Sequence, residues 1–369
     1  MPSASSIQPS GWVTLRLSFV AMLALASSAP AFAQWIQATG TAGLNMQSLL
    51  SHNGFAYAGG ATGAHRSADG GASFVPSNSG NDAAGPTRCF ATDESYVYTS
   101  TSQGVFRSAD DGATWIARSV GLPQLLTSGI LQADAHLFVV GPSGVFRSDN
   151  HGDTWAAAGL AGVDVRCIAA IAGTLFVGTN GSGVYRSADW GATWTASGAG
   201  MSATNIRAIQ AKGSTLFAGG QVGTGVYRST NLGVSWTLLG GGLPSGSYRG
   251  FASDDRLILA GSFGAGVFCS VDNGNRWRAI NAGLADLTIF DLEIHQGHIL
   301  AATNTRGVFR LPIASLSDLD GDGCVDGLDL GLLLGSWGPC GGCIADLNGD
   351  ETVDGNDLGV LLAAWGGCG

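Results

Sequence analysis

Beyond Asp318 the sequence has no lysine and no arginine, and upstream of it charge is scarce. Charged residues make up 12% of the 369, about half the share of an average globular chain. Ten of the 27 acidic residues lie from Asp318 onward; without them and Arg16, residues 34–317 carry 17 acids against 16 bases. The net charge of −10 therefore sits in the last fifty residues. That excludes a basic face for nucleic acid and points to a cation site or an acidic tail. Long apolar runs are lacking too. The run Leu17 to Ala26 is too short for a membrane span, and no other segment qualifies. It follows Arg16 and precedes Ala31-Phe32-Ala33, so residues 1–33 read as a signal peptide cleaved after Ala33. The mature chain is expected to be secreted, with cysteines free to oxidise.

What the sequence has in quantity is glycine, 59 residues, and a repeat. The copies read SADGGASF (67–74), SADDGATW (108–115), SDNHGDTW (148–155), SADWGATW (187–194), STNLGVSW (229–236) and SVDNGNRW (270–277). Their starts are 41, 40, 39, 42 and 41 residues apart, a period that marks a repeat architecture. Before each copy stands GAHR, GVFR, GVFR, GVYR, GVYR or GVFC; a seventh GVFR (307–310) has no polar turn after it. Each unit also holds short apolar runs such as TLFVG (174–178), TLFAG (215–219) and LILAG (257–261), preceded by an inner strand such as NIRAIQA (205–211). Four strands in each of seven units suit an all-β, seven-bladed β-propeller. A β-solenoid is the second choice, with repeats usually much shorter. The stretch from Trp35 to Leu44 resembles Trp277 to Leu284. The mature N-terminus therefore reads as the outer strand missing from the seventh unit, which closes the ring and hides two open edges.

In SxDxGxxW the Asp carboxylate is placed to accept backbone N–H bonds in a tight turn, as are Asn150 and Asn231. The Gly supplies a positive φ, and the aromatic packs between blades. The motif resembles the Asp-box, or BNR, repeat over residues 35–310. That family includes sialidases, xyloglucanase-type glycosidases, sortilin-like receptors and photosystem assembly factors. The resemblance implies the fold; the box itself is structural in all of them.

Aligning the units on the LFAG-type strand and stepping back nine residues gives Gln47, Arg88, Ser128, Arg166, Arg207 and Arg249, with Phe290 or Asp291 in the seventh unit. Ligands of propellers meet the channel where inner strands begin. Four arginines there would form a cationic arc for a carboxylate or sulfate, or would pair with Asp82, Asp164 or Asp291. The arginines of GVFR and GVYR read as blade surface. A glycoside hydrolase needs two carboxylates flanking the bond. The candidates are Asp82, Asp164, Asp286, Asp291 and Glu293, and no spacing selects a pair. The Tyr–Glu partner and FRIP-type start of sialidases are not identifiable, and xyloglucanase-type enzymes join two propellers where this chain has one.

The C-terminal fifty residues carry their own duplication. Asp318, Asp320, Asp322, Cys324, Asp326 and Asp329 are followed 28 residues later by Asp346, Asn348, Asp350, Thr352, Asp354 and Asp357. Side-chain oxygens at positions 1, 3, 5, 9 and 12, with the carbonyl at position 7, make the calcium-loop pattern. Each loop leads into an apolar helix, LGLLLGSWG (330–338) or LGVLLAAWG (358–366). The pair resembles a type I dockerin, an EF-hand-like domain over residues 318–366, which implies bound Ca2+ and a cohesin-like partner. Glu351 stands at position 6 of the second loop, where glycine is usual, and positions 10–11 are Gly327-Leu328 and Gly355-Asn356. Two disulfides among Cys324, Cys340, Cys343 and Cys368 are expected, in any of three connectivities; Cys89, Cys167 and Cys269 are expected as free buried thiols.

The expected organisation is a signal peptide (1–33), the propeller (34–312), a linker (313–317) and the calcium module (318–369). The leading function is binding within an extracellular, carbohydrate-directed assembly, with a polysaccharide or anionic glycan as ligand. The alternatives are a glycoside hydrolase and a receptor-like scaffold for a protein.

Overall fold

The computed structural model describes residues 34–366 apart from 82–84, 222–223, 321, 323, 341–342 and 349. The signal peptide, Asp82, Gly323 and Cys368 lie outside the described residues. Seven four-stranded antiparallel sheets are arranged as the blades of a β-propeller. Their inner strands are Met46–His52, Thr87–Thr92, Gly129–Ala133, Val165–Ile171, Ile206–Lys212, Tyr248–Ser253 and Ile289–His295, blades 1 to 7 in order. The second strand of each blade is apolar on both faces, as in Thr215–Gly220, where every residue is buried. A strand flanked by blades on both sides has no solvent face and loses the usual alternation. Outer strands are only two residues long, such as Ile116–Ala117 just after Trp115.

Blade 7 takes its fourth strand from the N-terminus: Ile36 pairs with Arg310 and Gln37 with Phe309. Trp35 is buried, and its indole N–H donates to the Ile280 carbonyl of blade 6 at 2.5 Å. The same bond recurs from Trp115 to Ser77, Trp155 to Arg118, Trp194 to Ala158 and Trp236 to Ser197, at 2.6–2.8 Å. Each tryptophan thus satisfies its buried donor on the preceding blade. Trp277 departs from the pattern and donates to Gly274.

The polar turns are built as the residue types require. The Ser108 hydroxyl donates to Asp110 and accepts from the Gly112 N–H, while Asp110 accepts from the N–H and hydroxyl of Thr114. Asn150 and Asn231 accept from the N–H groups of Thr154 and Ser235 in the same way, but donate their amide N–H to those hydroxyls. Two consecutive residues have positive φ, not the glycine alone: Asp111, His151, Trp190, Leu232 and Asn273 stand at 51–58° directly before it.

The arginines of GVFR and GVYR are not merely blade surface. Arg66, Arg107, Arg147, Arg186 and Arg228 donate to the carbonyls of Asp111, His151, Trp190, Leu232 and Asn273 at 2.5–3.3 Å. Each guanidinium ties its blade to the strained residue of the next blade's turn. Blade 6 has Cys269 at this position, and its neighbour has no such turn. The segment 313–317, expected as a linker, packs there instead: Ile313 joins the core beside Cys269, and Arg278 donates to the Leu316 carbonyl at 3.0 Å.

Two helices, α1 (Gly327–Gly335) and α2 (Gly355–Ala363), follow in the C-terminal part. Both start three residues before the apolar runs read from the sequence. Asp326 and Asp354 cap them in reciprocal capping boxes with Asp329 and Asp357. Leu319, Val325, Leu333, Ala345, Leu347, Val353 and Leu361 form a small separate core. No described helix is long and apolar enough to cross a membrane.

Candidate functional site

Arg88, Arg166, Arg207 and Arg249 all line one cavity of about 320 Å³ at the centre of the ring, with Gln47, Ser128 and both Phe290 and Asp291. A backbone device puts them there. In six inner strands the pairing slips by one residue, and the skipped residue is Gln47, Arg88, Arg166, Arg207, Arg249 or Phe290. A bulge leaves one residue unpaired and re-aims its side chain. Ser128, one residue ahead of its strand, holds the place in blade 3. The register also settles that Phe290, not Asp291, is the seventh member. The signal was legible: apolar residues three apart, as in Ile206 and Ile209 or Ile289 and Leu292, break the period of two.

The arginines differ in what they touch. Arg166 pairs with Asp164 at 2.5 Å, and Arg207 donates to Gln221 at 2.9 Å. Arg249 lies over the Phe263 ring at 4.0 Å and 5.4 Å from the Phe290 ring. The buried Nε atoms of Arg166, Arg207 and Arg249 have no hydrogen-bond partner among the described residues. Burial, then the charge of Arg166, lowers the pKa of Arg207; burial, then Arg207, lowers that of Arg249. Like charges held this close favour an anion between them.

Asp291 accepts from the backbone N–H of Leu49, across the blade 7–blade 1 seam, at 2.8 Å and from Leu292 at 2.9 Å. Burial nevertheless raises it to about 7, and burial with the charge of Asp291 raises Glu293 to about 8. Of the other candidate carboxylates, Asp164 is taken by Arg166 and Asn180. Asp286 is taken by Thr288 and Thr305. Only Asp291 among the described candidates lines the cavity. No described arrangement sets one ionised and one protonated carboxyl across a ligand, as two-carboxylate hydrolysis requires. Cys89 and Cys167 line the same cavity as free thiols; burial raises them to about 11 and about 12, which keeps them protonated.

The C-terminal loops form the second candidate site. Carboxylate oxygens of Asp318, Asp320 and Asp322 converge within 4.8 Å of one another. Asp329 and Asp357 are fully buried, each accepting three backbone N–H groups of its own loop. Asp346 accepts from the N–H groups of Asp350 and Glu351. Glu351 has φ of +64°. Cys324 lies beside these ligands and is disulfide-bonded, and Cys340 is joined to Cys343. The donors are hard oxygens with no basic residue in the segment, a set that suits a hard dication.

No protein-family model and no curated protein matches the sequence. Solved structures do. The GH74 xyloglucanase from Xanthomonas campestris aligns at 17% identity and TM-score 0.60, covering 75% of this chain and 53% of that one. YCF48 from Cyanidioschyzon merolae aligns at 15% identity and TM-score 0.63, covering 76% and 99%. The extracellular domain of BT4673 from B. thetaiotaomicron aligns at 13% identity and TM-score 0.62, covering 75% and 39%. This chain thus spans about half or less of the xyloglucanase and BT4673 chains. At such identity the likeness shows the fold: a seven-bladed propeller of four-stranded blades.

Proposed function

We propose that this chain is a secreted, calcium-binding, dockerin-bearing β-propeller that acts as a binding component of an extracellular carbohydrate-directed assembly. Its channel mouth takes an anionic ligand. The observation that carries this reading is the set of four bulge-borne arginines around one cavity, three with a buried Nε that has no partner among the described residues. Arg207 and Arg249 are half-buried with like charge beside them, which favours a counter-charge, and a carboxylate supplies it in a bidentate geometry. The xyloglucanase neighbour and the extracellular neighbour support the carbohydrate and export parts of the reading. Asp318, Asp320, Asp322, Asp326 and Asp329 would hold one Ca2+ and their counterparts in the second loop another, with a cohesin-like protein as the partner of this module.

A glycoside hydrolase is the second reading, favoured by one observation: Asp291, with a raised pKa, lines the cavity as a general acid would. A glycan array run beside a reducing-end hydrolysis assay separates the two. The binding reading expects retention of acidic glycans, loss of that retention in Arg207→Ala, and no product. Turnover that disappears in Asp291→Asn would replace it with the hydrolase.

A further inference from the structure

The mouth is chemically two-sided. Arg88, Arg166 and Arg207 stand on blades 2, 4 and 5. The blade 6–7 side is aromatic: Phe263 and Phe290 meet edge to face with centroids 5.7 Å apart. Phe263 is 41% exposed, and Phe290, on which it packs, lines the cavity. Its backbone is held rigidly. Its N–H donates to the Ser247 carbonyl, it bridges Thr288, and the next residue, Gly264, donates to Leu287. Arg249 spans the two sides, since its guanidinium stacks on Phe263 while its Nε stays unpartnered.

The geometry points to a ligand that presents a carboxylate to the arginines and a flat apolar face to Phe263: the terminal uronate of an acidic glycan, bound end-on. This rests on the anion-binding reading above and narrows it. A pyranose has one face of C–H groups that packs on an aromatic ring. Its vicinal hydroxyls suit planar polar groups, and Gln47 and Gln210 line the same cavity. The cavity, about 320 Å³, is at the small end for ligand sites. It admits a chain end more readily than a chain running through.

The test is calorimetric titration of the full chain with a galacturonic acid trisaccharide, its neutral galactose counterpart, a sulfated galactose oligosaccharide and sodium sulfate. The uronate should bind at least about tenfold more tightly than the neutral sugar and the sulfated one. Phe263→Ala should weaken the uronate about tenfold and leave inorganic sulfate unchanged, while Arg207→Ala should weaken both. Phe263→Leu keeps an apolar side chain without a flat face and should behave like the alanine variant. Unchanged uronate binding in both Phe263 variants overturns the stacked uronate and leaves the anion site standing. Preference for the sulfated sugar, or for a peptide carboxy-terminus used as competitor, overturns the ligand class. Indifference of all anions to Arg207→Ala overturns the anion-binding reading itself.

Discussion

Single residues carry two kinds of work in this molecule. Arg228 donates to the Asn273 carbonyl and Asn275 side chain of the next blade at 2.7 and 2.8 Å. Removing a charged donor from such a bond costs about 1.5–3 kcal/mol. Arg228→Ala should therefore lower the unfolding free energy measured in urea by that much, whereas Arg256→Ala, whose partner Asp254 lies on its own loop, should change it little. Equal effects would remove the blade-tie role. Asp291 makes the pH prediction. Its folded pKa is raised from 3.8 to about 7 by burial. The folded state thus holds its proton more tightly than the unfolded chain. That contribution is full below pH 4 and is lost as pH rises to about 7. The wild type should lose stability between about pH 4 and pH 7, and Asp291→Asn should lose less. A variant with the same pH slope as the wild type would show that Asp291 is not the responsible group. Binding of anions at the mouth should weaken around pH 7, where this cavity-lining carboxyl ionises in the folded state.

At the scale of elements, the N-terminal strand and the acidic loops invite separate tests. Two residue pairs, Ile36 with Arg310 and Gln37 with Phe309, together with the buried Trp35, close blade 7. Deleting residues 34–44 exposes that edge and removes the indole from its pocket beside Ile280. The melting temperature should drop markedly, and an unchanged one would mean the ring is held by other means. In the second loop Glu351 adopts φ +64°, a conformation that costs a non-glycine residue about 1 kcal/mol or more. On the calcium reading, the first loop should bind about tenfold more tightly than the second. Titration of Asp346→Ala and Asp318→Ala isolates each loop, and Glu351→Gly should close the gap. Tighter binding at the unaltered second loop contradicts the strain argument.

For the whole molecule, the C-terminal part leans on the propeller. Arg276, in the polar turn of blade 6, lies 3.5 Å from Asp350 of the second loop. Val360 and Ala363 of α2 and its C-cap Ala364 face Leu257, Val271, Ile313 and Leu316. The propeller core is far larger than the module's seven-residue core, so the two should melt separately. If the loops hold calcium, a chelator should lower the first transition, by linkage, and leave the propeller transition in place. A single transition indifferent to chelator would remove the metal from the account.

How much of this was legible depends on whether a property is local. The polar turns, the seven units, the N-terminal closing strand and the arginine positions follow from residue types and their period. The turns are fixed by hydrogen bonds within a few residues of themselves; the closing strand pairs at the far end of the propeller and was legible because it copies the repeat. Two things were not legible. The arginines of GVFR read as surface, because their partner is a carbonyl some 45 residues away in a neighbouring blade, and only blade packing brings it near. The aromatic wall escaped too, because the place of Phe263 holds Asn180, Gln221 and Asn304 in blades 4, 5 and 7, and Phe263 meets Phe290 only when blades 6 and 7 stand side by side. The sequence by itself determined the blades and the ring of charges, since both repeat. The tertiary structure decided what surrounds the charges, because the bulges and the neighbouring blades aim side chains that no single unit aims alone.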